Sequence, residues 1–125
     1  MAGKYAKTKD GIYKQADYLG IHKGKRYALL DDAKGNRITM CQEPNETYET
    51  SDSLERLCDE WVLRIDGRCV TYKYCKSLND AKRRYRDMTL VAYAKEQVHI
   101  LGAIWTSKGL NFVAEANSEG KWELL

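Results

Sequence analysis

The feature that most narrows the fold is a turn set between two alternating runs. Arg26–Asp31 (RYALLD) and Arg37–Cys41 (RITMC) flank the pentapeptide DAKGN, in which Gly35 can take a positive φ. That combination reads as a β-hairpin. The same grammar recurs. Asp66-Gly67 separates the β-like stretch Trp61–Ile65 from Cys69–Cys75 (CVTYKYC), which is rich in β-branched and aromatic residues, and it predicts a two-residue type I′ turn. His99–Thr106, Leu110–Ala116 and Lys121–Leu125, joined by SKG and by Asn117–Gly120, predict a three-stranded meander. A weaker signal over Gly11–Lys25 suggests a short strand carrying Ile12, Tyr13, Leu19 and Ile21, then a loop through Gly20 and Gly24.

Two stretches carry helical spacing. Leu54, Leu57, Cys58 and Trp61 fall at i, i+3, i+4 and i+7, behind Asp52 and Glu55 at capping-box spacing. Leu78, Ala81, Tyr85 and Met88 form a second stripe behind Ser77 and Asp80. The run MTLVAYA that follows suits either the end of this helix or a strand. Residues 1–10 are expected to fray, and residues 43–50 (EPNETYET) to form a polar connector. With 125 residues, one proline and no repeat, the chain predicts a single domain spanning 1–125. The expected class is α+β: an antiparallel sheet of five to six strands, made of hairpins and the C-terminal meander, with about two helices packed on one face.

No stretch approaches the ~20 apolar residues of a membrane span. The basic N-terminus has no apolar run behind it, so the expected location is the cytoplasm. There the four cysteines (Cys41, Cys58, Cys69, Cys75) would stay reduced, although their even number permits three pairings. No CxxC occurs. Cys69 and Cys75 lie too far apart along one strand to build a thiolate site, and the only histidines are His22 and His99. No nucleophile elbow, phosphate loop or zincin motif appears, so the expectation is a non-enzymatic protein without cofactor. A small enzyme, gathering His99, a cysteine and carboxylates, is the least favoured alternative. Trp61 and Trp105 sit in apolar patterns and are expected in the core, whereas Trp122 is expected to be partly exposed.

Charge is layered along the chain. Residues 1–26 hold seven bases against two acids, 27–66 four against ten, 67–86 seven against one, and 87–125 three against five. The acidic layer contains Glu43, Glu46, Glu49, Asp52 and Glu55 at a spacing of three, which predicts a linear acidic edge for a basic partner. The second basic layer contains Lys73, Lys76, Lys82, Arg83, Arg84 and Arg86. On the predicted helix 77–87 these would make a patch for phosphates or acidic protein. Tyr72, Tyr74 and Tyr85 interleave with them and could stack on unpaired bases.

The segment HILGAIWTSKGLNFVAEANSEGKWELL, with its GAIWT strand, KGL turn, FVA strand and closing G-x-x-E-L, resembles the ends of small proteins encoded by bacteriophages and mobile elements of Gram-positive bacteria. SLERLCDEWV is similar in the same way. The resemblance covers about a third of the chain and carries no site residues. It implies an accessory protein that binds a host nucleic-acid-handling complex and inhibits or modulates it, as anti-CRISPR proteins do to Cas nucleases. The alternative expectation is direct DNA or RNA binding through the basic helix.

Overall fold

A computed structural model describes residues 3–117 and 119–125. It holds ten strands in two antiparallel sheets, one α-helix and two 3-10 turns. The class is α+β. One sheet of five to six strands was expected, and the chain makes two sheets of five. Two helices were expected, and there is one.

The N-terminal sheet has the order β4-β3-β2-β1-β5. β1 (Tyr5–Thr8) pairs with both β2 (Ile12–His22) and β5 (Tyr48–Ser51). Residues 1–10 therefore do not all fray: Tyr5, Ala6 and Thr8 are buried. The connector 43–50 likewise ends in a strand. Sequence alternation is too short in both places to announce a strand, and pairing with neighbours on each side supplies what propensity lacks. β2 and β3 (Lys25–Asp31) meet at Lys23-Gly24, both at positive φ, which is the type I′ geometry. β3 and β4 (Arg37–Gln42) form the expected hairpin, with Gly35 at φ 86°. Register shifts at Ala16 and Leu19 bend β2, as bulges do. The sheet curls until the Tyr48 ring on its edge lies 5.8 Å from Tyr18 and 4.9 Å from the Arg26 guanidinium. Ala6, Ala28 and Leu30 fill the hollow, with Tyr13, Met40 and Tyr48 around them.

The C-terminal sheet has the order β10-β9-β8-β6-β7. β6 (Glu60–Asp66) and β7 (Val70–Cys75) are joined by Gly67–Cys69, because Asp66 pairs with Val70. The turn is one residue longer than the sequence suggests, and Cys69 belongs to it. β8 (Val98–Thr106), β9 (Gly109–Ala116) and β10 (Trp122–Leu124) form the expected meander. In β9, Val113 has no partner on β8, since Ala114 faces Gly102 while Phe112 faces Ala103.

The second predicted helix is α1 (Leu78–Val91), which runs on through Met88–Val91. The first predicted helix does not form. Leu54–Leu57 is a single 3-10 turn, Ser53 gives it no side-chain cap, and Trp61 already belongs to β6. Asp52 instead accepts the Lys4 backbone N–H at 3.0 Å. Four correctly spaced apolar residues cannot hold a helix when the chain must turn into a sheet at Glu60.

Cross-strand partners share a face. One face of the C-terminal sheet carries Leu63, Cys75, Val98 and Ile100, covered by α1 through Ala81, Leu78, Tyr85 and Met88. Further along that face, Ile104 and Ala114 pack with Leu54 and Leu57 and with Tyr5 and Ile12 from the N-terminal sheet. The two sheets therefore share one apolar cluster. Trp61 and Trp122, edge to face at 5.4 Å, link it to the cluster under the helix.

Candidate interaction surfaces

The basic residues converge only in part. Ser77 caps α1, its Oγ accepting from Asp80 N–H at 3.1 Å. The Asp80 carboxylate accepts the Lys76 backbone N–H at 3.0 Å and draws in Arg83 at 2.8 Å and Arg84 at 3.3 Å. The Lys76 amide first, then Arg83 and Arg84, hold Asp80 down to about 2. Lys73 stands opposite Leu63, on the face that α1 covers. Arg84 leans toward Cys75 on the same strand, where its charge opposes the burial that raises the thiol. So Lys73, Lys76, Arg83 and Arg84 gather where β7 meets α1. Lys82 and Arg86, four apart, turn to the other flank. There Lys82 borders a cavity of 740 Å³ whose floor includes Val98, Ile100, Ala116 and Trp122.

The acidic residues run from the end of β4 through the connector into β5, the two outer strands of the N-terminal sheet, and several are occupied. Glu43 lies 3.8 Å from Lys25. Glu46 pairs with Lys9, which with the Glu43 amide holds its carboxyl below the ordinary range. Glu49 stands across from Lys7, whose ammonium goes to Asp59 at 2.5 Å instead. Asp52 is taken by the Lys4 amide, and Glu55 sits on the 3-10 turn.

The most unusual surface lies apart from both sets of charged residues. The other face of the C-terminal sheet carries Glu60, Val62, Arg64 and Asp66 on β6, and Val70, Tyr72 and Tyr74 on β7. It continues through His99, Leu101, Ala103 and Trp105 on β8, Leu110, Phe112 and Glu115 on β9, and Glu123 on β10. Tyr72 and Phe112 stack at 5.5 Å between centroids, their planes nearly parallel. Their strands are separated by β6 and β8, so the rings bridge over the sheet, above the buried row Val62, Leu101 and Ala103. Around this bridge Tyr74 is 63% exposed, Trp105 58% and Val70 55%. The helix and the 3-10 turn both pack on the opposite face. Trp105 is thus not core. The period-2 signal that made it look buried places it on the uncovered side, with its indole N–H donating to Glu60 at 3.3 Å. A sign of this face was available in VTYKYC: once Cys75 turns inward, Tyr72 and Tyr74 must turn outward.

Polar groups on this face are tied together. Arg64 forks onto Asp66 at 3.1 and 3.4 Å. His99 has Asp66 at 3.0 Å from Nε2 and Glu115 at 2.7 Å from Nδ1. His99 therefore braces β6, β8 and β9. Burial pushes the Cys58 thiol up to about 12 and raises Cys75 as well. Among the described residues, no group of three or more His, Cys, Asp or Glu side chains is arranged to hold a metal ion, and no helix is long and apolar enough to cross a membrane.

No family model, curated protein or solved structure matches this chain.

Proposed function

We propose that this chain is a non-enzymatic interaction protein that docks on a nucleic-acid-handling complex of a bacterial host and modulates it. The observation that carries the reading is the uncovered aromatic face of the C-terminal sheet. Exposed Tyr and Trp on a rigid scaffold, set beside charged groups, have the composition of a binding hot spot. The packing that would pair this face within the chain goes to the other side. The resemblance of the C-terminal third to phage and mobile-element proteins directs the reading to a host complex in the cytoplasm, with a Cas nuclease as its sharpest form. The charge layers supply the second support, since they suit a partner that itself handles polyanions.

Affinity purification from host extract at moderate salt tests this, with proteins and nucleic acids both identified. The expected result is one nuclease or nucleoprotein complex, whose activity falls when the purified chain is added. Recovery of no such complex, or a recovered complex unaffected by the chain, overturns the reading.

Direct nucleic-acid binding is the second reading, favoured by the convergence of Lys73, Lys76, Arg83 and Arg84 beside β7. It requires a salt-sensitive gel shift that charge reversal of Arg83 and Arg84 removes.

A further inference from the structure

The uncovered face carries charge as well as rings, and the sign of that charge selects its occupant. Four carboxylates (Glu60, Asp66, Glu115, Glu123) share the face with one guanidinium, Arg64, and one imidazole, His99. Arg64 is already closed on Asp66, and His99 on Asp66 and Glu115. Among the described residues, Glu123 has no ion pair and Glu60 takes only the Trp105 indole N–H. Of the other cations, Arg68 and Lys108 lie in the turns at opposite ends of the sheet, and Lys82 and Lys95 border the cavity that Glu123 also lines, away from Glu60 and the aromatic bridge. Phosphates would therefore meet an excess of negative charge here, although the rings alone would suit unpaired bases.

Resting on the reading that the chain acts by binding, we propose that this face docks an arginine-rich segment of the partner protein. A guanidinium plane stacking on Trp105 brings its forked donors beside Glu60, Tyr74 offers a second ring on β7, and Glu123 adds negative charge at the far side of the sheet. Arginine fits both demands in one side chain. Lysine meets the charge and can sit over a ring, but it lacks the planar stack and the forked donors. The basic patch around α1 lies on the opposite side of the sheet and is left free.

The test titrates the purified chain with a synthetic Arg-Gly-Gly repeat peptide, its Lys-Gly-Gly counterpart, and a single-stranded oligothymidine. Calorimetry gives the affinity, and amide NMR shifts give the location. The arginine peptide is expected to bind more tightly than the lysine peptide, to weaken with salt, and to shift amides of β6–β9. Tyr74→Ser and Trp105→Ser should each weaken it roughly tenfold, the loss expected of a central contact. Glu60→Gln with Glu123→Gln should weaken it by less, and Arg83→Glu should leave it unchanged. All these positions are on the surface, and an unchanged melting curve confirms that each variant folds. Three results overturn the proposal: shifts confined to the Glu43–Glu55 edge, equal affinity for both peptides, or oligothymidine seated on this face. If a host complex is recovered but the Tyr74 and Trp105 variants retain it, this inference fails and the proposed function stands.

Discussion

The N-terminal sheet curls until its rings line a hollow, whereas the C-terminal sheet stays open and wears its rings outside. Both have five antiparallel strands, and the difference lies in what covers them. In the first, Tyr13, Met40 and Tyr48 pack around Ala6, Ala28 and Leu30, Tyr18 lies against Tyr48, and the carboxylates Asp31, Glu43 and Glu46 are each matched by a nearby base. In the second, α1 and the Leu54–Leu57 turn pack against one face, and the buried row on the other lies under the sheet's own rings. The lesson is that strand count says little about binding capacity. An open sheet with a single covering layer keeps a whole face in reserve.

This contrast can be broken most directly at the core. Leu30 and Ile104 are almost wholly buried, one in each sheet. Leu30→Ala and Ile104→Ala should each cost about 2–5 kcal/mol. Because Tyr5 and Ile12 pack with Ile104 and Ala114, both variants should lower one shared thermal transition. A calorimetric trace in which Leu30→Ala splits off a separate transition would show two folding units in place of a shared core.

A smaller loss is expected where the sheet meets its cover. A Cβ built on Gly102 would lie 2.5 Å from Cys58 Sγ and 3.3 Å from the Trp61 ring. Gly102→Ala should cost about 1–3 kcal/mol through overpacking, read from urea unfolding. Adding Cys58→Ala removes the closest atom and should return most of the loss. No recovery would mean that the clash is with Trp61 or backbone.

The smallest effect concerns acid. Asp80, held at about 2 in the folded chain against an ordinary 3.8, stabilises α1 fully above the higher value. That contribution fades as pH falls through the lower one. Asp80→Asn should flatten the fall in melting temperature across that window. If the slope persists, acid sensitivity resides in the N-terminal sheet, where Asp31, Asp32 and Glu46 are also held low by Arg37, the Asn36 amide and Lys9 respectively.

The parts of the fold that could be read from sequence were those with local signals. Gly35 fixed one hairpin, the C-terminal alternation gave the meander, and Ser77 with Asp80 marked the helix start. The parts that could not be read depend on partners distant in sequence. β1 and β5 each need the other, and they are some 40 residues apart. Leu54 and Leu57 mimic a helix stripe because a plug under a sheet also needs neighbouring apolar side chains. The charge layers were legible, but their neutralisation was not, since Lys7–Asp59 and Lys9–Glu46 join segments far apart along the chain. The aromatic face was half legible: alternation tells which residues share a side, and only packing tells which side is covered.

The bulge at Val113 has a consequence for how the length of this chain can vary. Phe112 and Ala114 sit two apart, on opposite faces, because one residue between them is skipped. A version of β9 lacking Val113 would keep every other side chain facing as it does now. Losing a residue outside the bulge instead would exchange inside for outside along the rest of the strand. Within the bulge, then, a codon could be lost from the strand without turning its faces over.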